Sequence, residues 1–352
     1  MGLCLGLSSG LILFMHIFSE YSYDKHLNDF DRIYRVRCDN LVAGEYSERM
    51  AVTNGPVGGA IRDLFPEVEY VVQLNRDNLD GLISQNGFTC RLQKSFFASS
   101  DFFKVFSYKL LQGDKASALT EINSIVLSKS MARKFFGDED PMNKSLRFNN
   151  HFDLKVTGVF EDVPENSHLK FDMLIPYTFM IKYVAPYMEQ EWDSGETNYT
   201  YIKLKPGADP GLLEKKFTEM VQQKLGAYLK GKNHDKQYFL QSVTDIHLNS
   251  HFDSEIEVNG NGQAVKFFII IALLILVIAW INYINLSTAK SFERFREIGI
   301  RVVSGANKIQ IRAQFILEAL MLNTIALLLS VLIARMVIPY FSDYTGMHIQ
   351  PE

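Results

Sequence analysis

Fifteen consecutive apolar residues, Phe267 to Ile281, constrain this chain more than any other feature, because a helix made from them has no polar face to turn to water. Two other stretches share the property: Met1 to Phe18 has no charge, and Leu320 to Ala334 is uncharged and interrupted only by Asn323, Thr324 and Ser330. Crossing a bilayer takes roughly 20 mostly apolar residues, since the hydrocarbon is about 30 Å thick. The central run reaches that length once Asn282 to Leu286 is added at its polar end, which predicts a span over 265–286. The third fits as 316–341, with Glu318 and Arg335 snorkelling near its ends. The bland alternative for each is a buried core helix. The first run, 1–18, lacks the basic start and the small-residue cleavage site of a secretory signal. It carries Gly2, Gly6 and Gly10, small residues at every fourth position that let one membrane helix approach another closely. It is expected to be a span whose cytosolic beginning is missing.

Bulk composition hides this. A chain of 352 residues, 47% hydrophobic with net charge −4, would pass for one or two soluble domains if its apolar residues were evenly spread.

Charge placement orients the spans. Between Ser287 and Arg312 six basic residues (Lys290, Arg294, Arg296, Arg301, Lys308, Arg312) meet two acidic ones (Glu293, Glu297), and short basic loops stay in the cytosol. Residues 19–264 then lie outside, between spans one and two. From Glu20 to Ala264 there are 28 Lys and Arg against 35 Asp and Glu, so no cationic surface argues for nucleic acid. Tyr21 and Tyr23 after the first span, and Tyr340, Phe341 and Tyr344 after the third, fit an aromatic belt at the outer interface. The expected fold is a membrane protein of transmembrane α-helices with a large α+β extracytoplasmic domain inserted between the first and second spans, in two subdomains.

Within that domain, strands are predicted at Arg32–Cys38, Ser124–Leu127, Phe152–Phe160, Tyr199–Leu204 and Phe239–His247, from alternation and β-branched content. Helices are predicted at Gly55–Phe65, at Lys129–Phe136 ending on Gly137, and from Asp209-Pro210, where Asp caps and Pro takes the first helical position. Catalytic constellations are not evident. Gly137 to Ser145 resembles a phosphate loop at first sight, but Met142 stands at the second glycine position and Lys144 comes one residue late, so it reads as a helix-ending turn. His247 and His251, with Asp245 and Asp253, have metal-ligand spacing only if helical, and the segment reads as strand into loop. The acidic cluster Glu189, Glu191, Asp193 and Glu196 around Trp192 reads as solvated surface. Cys38 and Cys90 show no CxxC pattern, and a disulfide between them is not expected. No catalytic residue, metal or cofactor is assigned to this chain.

The basic segment itself is amphipathic. Phe292, Phe295, Ile298 and Val302 form a helical stripe, Glu297 precedes Arg301 by four residues in the supportive order, Gly305 stops the helix, and Asn307 can cap the next one. The span thus continues into a coupling helix and turn over 287–315. It serves either as a surface anchor or as a docking face for a cytosolic partner, which periodicity does not distinguish.

Arg296-Glu-Ile-Gly-Ile-Arg301, Ser304-Gly305-Ala306, and Phe315, Leu317 and Glu318 resemble the pattern R-E-I-G-[IV]-R-x-x-x-G-A followed by a Phe-Leu-x-E helix, found in the FtsX-like permease domain of MacB-type ABC transporters. Ser22 to His26, Asp31 to Val36, Phe65 to Val68, Gly137 to Pro141, Gly158 to Pro164, Asn166 to His168 and Thr244 to His247 are similar to the periplasmic core domain of the Bacteroidetes-type branch, and Asn282 to Ala289 to the span end that follows it. The resemblance implies a non-catalytic permease subunit in the bacterial inner membrane. It would transmit motion from a separate cytosolic ABC ATPase, which binds ATP and magnesium, for export or lipoprotein handling. It also implies a second permease copy or half and a periplasmic adaptor or outer-membrane protein as partners. Arg296, Glu297, Gly299, Arg301, Gly305 and Ala306 would be the ATPase-coupling residues. Family members carry a cytosolic helix before span one and a fourth span after residues 342–352, so the chain is expected to be truncated or a half-unit. The alternatives are an FtsX-like regulator of a cell-wall hydrolase and a membrane-anchored sensor without an ATPase.

Overall fold

The computed structural model describes residues 2–76, 81–85, 87–192, 195–231, 233–305 and 307–345. Helix α1 occupies Gly2–Tyr21. The inserted domain opens with β1 (Ile33–Val42), β2 (Glu45–Met50), β3 (Thr53–Asn54), α2 (Gly55–Leu64) and β4 (Val68–Asn75). It continues through β5 (Leu82–Gln85), β6 (Phe88–Arg91), β7 (Ser95–Ala98), α3 (Phe102–Val105), β8 (Leu110–Gln112), β9 (Ser124–Ser128) and α4 (Lys129–Phe136). Next come β10 (Ser145–Phe148), β11 (Phe152–Phe160), β12 (Met173–Pro176), α5 (Tyr177–Tyr183), β13 (Glu196–Leu204), α6 (Pro210–Gly231), β14 (His234–Ser242) and α7 (Val243–Asn249). Helices α8 (Gly262–Val303) and α9 (Lys308–Thr345) follow.

Two compact units result: Tyr23–Gly260, and the flanking Met1–Ser22 with Asn261–Glu352. In the first, the described strands join one mixed sheet in the order β14-β1-β13-β4-β7-β12-β9-β11-β10-β5-β6, with β2 on β1, β3 on β13 and β8 on β11. Two subdomains are expected from the sequence; the sheet is common to three apolar cores, one around Phe96, Phe102 and Tyr201, one around Phe97, Leu127 and Phe179, and one around Ile61, Ile202 and Phe217.

Local chemistry explains the elements. Ser128 Oγ accepts from Met131 N at 3.2 Å to start α4, and Gly137 at φ +63° ends it, so the stretch once resembling a phosphate loop is a helix stop. Asp209 Oδ1 accepts from Gly211 N at 2.9 Å at the start of α6, which buries Leu213, Phe217, Met220 and Val221. Phe239–His247 departs from expectation. The strand ends at Ser242, and 243–249 is helical because Val243, Ile246 and His247 recur at helical spacing and are buried together.

The helical unit has the opposite surface. Gly2–Tyr21, Gly262–Ala289 and Ile309–Tyr340 are long and apolar enough to cross a membrane. Trp280 (65% exposed) and Leu328 (66%) stand on the outside of their helices, where lipid is the complementary solvent.

Candidate functional site

Gly2, Gly6 and Gly10 face Asn282, Ala279 and Leu276 of α8; a Cβ at Gly6 would run into the Ala279 side chain, and one at Gly10 would sit 3.0 Å from Leu276 Cδ2. Ser330 Oγ of α9 donates to Cys4 O at 3.0 Å, so all three helices meet along α1.

Helix α8 runs unbroken for 42 residues from the apolar run into the basic segment, roughly 63 Å at the usual helical rise. It holds no proline. Ser304 ends it, Gly305 turns at φ +88°, and Asn307 Oδ1 accepts from Ile309 N at 3.0 Å to begin α9. The resulting helical hairpin is fastened twice. Arg294 donates to both carboxylate oxygens of Glu318, at 2.6 and 2.9 Å, and Arg301 Nη1 donates to Gln314 Oε1 at 3.0 Å. A cavity of about 490 Å³ opens beside the first of these, lined by Asn282, Tyr283, Ser287, Arg294, Glu318 and apolar residues of α1 and α9.

Of the sequence-derived coupling residues, Gly299 lies open, with nothing within 4 Å of where a Cβ would stand; Arg301 braces the hairpin and Gly305 makes its turn. Arg296 and Glu297 sit on α8 with side chains outside the described set, as are those of Phe292 and Phe295, and Ala306 lies outside the described residues. In the expected apolar stripe Ile298 is half-buried and Val302 exposed. Sequence reading missed the Arg294–Glu318 pair. The signal was present, because a glutamate inside an apolar run calls for a cationic partner.

The inserted domain holds two buried polar networks. Asp24 and His168, from two of the stretches that carry the family resemblance, meet with Nδ1 2.8 Å from Oδ2, and His168 Nε2 lies 2.9 Å from the Tyr201 hydroxyl. Arg35, 0% exposed, donates to Glu255 at 2.7 and 2.8 Å, to Gln241 Oε1 at 2.7 Å and to Ser250 Oγ at 2.8 Å. Burial pushes the Glu255 carboxyl up, but the bonds from Arg35, Ser250 and Asn259 outweigh it and hold the group below the ordinary carboxylate range. Burial also pushes the hydroxyls of Tyr108 and Tyr201 far up, so both stay protonated.

Other candidates resolve into structure. His247 stacks on Tyr23 at 3.3 Å between ring centroids. Among the described residues no group of three or more His, Cys, Asp and Glu could hold a metal ion. Glu196, expected as solvated surface, instead pairs with Lys236, both side chains 13% exposed; Glu189 and Glu191 are exposed, and Asp193 lies outside the described residues. Cys38 and Cys90 carry free thiols, and burial pushes that of Cys38 up to about 12, which makes it an inert core residue.

Residues 1–220 match the family described as the MacB-like periplasmic core domain, and residues 269–351 the FtsX-like permease C-terminal family. A macrolide export ATP-binding/permease protein MacB from Neisseria meningitidis serogroup A is 27% identical over 249 residues, 69% of this chain and 35% of that protein. A protein of the same name from Salmonella choleraesuis is 23% identical over 283 residues, 79% of this chain and 38% of that one. The chain therefore spans little more than a third of the length of the curated relatives it matches. A crystallised domain assigned to a permease protein of Porphyromonas gingivalis superposes with a TM-score of 0.53 at 25% identity, covering 61% of this chain and 91% of that one.

Proposed function

The chain belongs to the family of MacB-like periplasmic core domains and carries an FtsX-like permease C-terminal region, and on that premise we propose that it is a permease subunit transmitting the motion of a cytosolic ABC ATPase to the inserted domain. The ATPase binds ATP and magnesium; this subunit contributes no chemistry. It acts in the inner membrane, paired with a second permease copy.

The unbroken helix α8 carries this reading. A helix without proline or an inserted bend transmits displacement along its length, so a push on 287–303 reaches Gly262. The Arg294–Glu318 and Arg301–Gln314 bonds make the two arms of the hairpin respond together. Gly299 leaves an open spot on α8, and the exposed Ile300 and Val303 beside the tight Gly305 turn offer a partner apolar contact.

Copurification with the ATPase is the deciding experiment. A full chain that retains no ATPase and stimulates none would overturn the reading. Glu297→Lys is expected to abolish docking and transport-linked ATP turnover with normal membrane insertion, since it reverses one charge in the basic segment and leaves the apolar spans untouched. A cysteine label at Asn261 should react from outside the cell, and one at Ser304 should not.

A further inference from the structure

We propose that one row of residues across β14, β1 and β13 clamps both connections of the inserted domain, so that the link leaving α1 (residues 23–28) and the link leading to α8 (residues 250–260) move as one body. Gln241, Arg35 and Tyr201 stand in register on these three strands. Each side of the row reaches a different link. Arg35 holds the outbound link through Ser250 and Glu255, and Asn259 Nδ2 donates to Ser250 O at 2.7 Å. Tyr201 holds the inbound link through His168 and Asp24. Asp24 Oδ1 also accepts from His168 N at 3.1 Å and Ser167 Oγ at 3.2 Å, and its own amide donates to Asn166 O at 2.8 Å.

Neither link is a loose tether. Asp24 and Ser250 are 0% exposed, and Leu27 and Ile256 enter the same apolar core. Asp253 exchanges backbone bonds with the end of β2, donating to Arg49 O at 2.7 Å and accepting from Ala51 N at 2.9 Å. Tyr23 of the inbound link stacks on His247 of α7, which runs directly into the outbound one.

Stability alone does not explain the arrangement. A buried ion pair costs desolvation that well-packed apolar side chains avoid, so what it contributes is placement: the charges are satisfied in one geometry only. Here that geometry fixes both links to adjacent strands. In the transmission reading, on which this role rests, displacement of either span would then move the sheet rather than slacken a linker.

Hydrogen exchange on the full chain in lipid nanodiscs tests the clamp. Glu255→Gln keeps the shape and removes the charge. Amides of 250–260 should exchange about tenfold faster, the equivalent of one charge-assisted hydrogen bond, and those of 23–28 should accelerate with them. Tyr201→Phe, which removes only the hydroxyl, should do the reverse, loosening 23–28 and then 250–260. Acceleration confined to the link each residue touches would overturn the clamp. Tyr177→Phe removes a buried bond donated by Asn198 (3.1 Å), from a residue of a different apolar core than the one the links enter, and should leave both unchanged; equal loosening there would reduce the effect to general softening and overturn it too. A second measurement adds the ATPase. If ATP alters exchange in the wild-type inserted domain, Glu255→Gln should abolish that response with hydrolysis retained, and an unchanged response would overturn the clamp's role. Absence of any response in the wild type would defeat the transmission reading, while the linked exchange still decides the clamp.

Discussion

Arg35 and Arg294 each grip a glutamate with two hydrogen bonds, yet the two pairs live under different rules. The Arg35–Glu255 pair lies within the inserted domain, the arginine side chain 0% and the glutamate 13% exposed, with Gln241 and Ser250 as further acceptors for the guanidinium. The Arg294–Glu318 pair closes a hairpin of two helices with its side chains 40% and 41% exposed. Removing one partner in the first case strands a buried charge; in the second the survivor turns outward. The same contrast governs the apolar residues. The inserted domain hides Phe96 and Phe179 almost completely, whereas the helices present Trp280 and Leu328 to their surroundings.

Arg35→Ala should break this comparison most severely. It leaves Glu255 buried without its cation, and a loss of about 3–5 kcal/mol is expected, read as a collapse of the thermal unfolding midpoint of the solubilised chain. Leu328→Ala, a larger apolar deletion on an outward helix face, should stay within about 0.5 kcal/mol. Gly6→Leu comes next. The new side chain meets Ala279 head-on, and overpacking of about 1–3 kcal/mol should appear as weakened cross-linking between α1 and α8. Acid is a gentler probe. The folded-state carboxyl of Glu255 lies below the ordinary range, so its contribution is present above the unfolded value, near 4.5, and is lost as pH falls through the folded one. The unfolding midpoint should drop on the acid side of that window, and Glu255→Gln should flatten part of the drop. Arg294→Gln is expected to cost little, about 1 kcal/mol or less for so exposed a pair. A loss of several kcal/mol would instead place Glu318 in hydrocarbon, and would make the two arginines alike.

Some of the site was legible in the residues and some was not. Gly305 and Asn307 announced the turn between α8 and α9, because glycine at positive φ and an Asn cap are local signals that need no partner. The Gly2, Gly6 and Gly10 spacing pointed to a packing stripe without naming the opposing residues. β9, β11 and α4 were readable from buried apolar content, alternation and a Ser cap with a Gly stop. Short strands such as β5, β7 and β12, four residues each, carry too little pattern to stand out, and β2 is almost wholly exposed. The helical turn at Val243 was mistaken for strand because its apolar residues become periodic only when the residues that pack inward, Val243, Ile246, His247 and Leu248, are known.

Hydrophobic length and charge asymmetry, properties of consecutive residues, by themselves determined three candidate spans, the basic segment between the last two, and a large inserted domain. Motif order determined the family. Only the tertiary structure decided that Asp24, His168 and Tyr201 form one buried network and Arg35 and Glu255 another, and that the register of β1 and β13 sets the two side by side. Long-range polar pairing leaves no periodic trace: each partner is an ordinary charged or hydroxyl-bearing residue until strand register brings it beside the other and burial removes the water that would have served either alone.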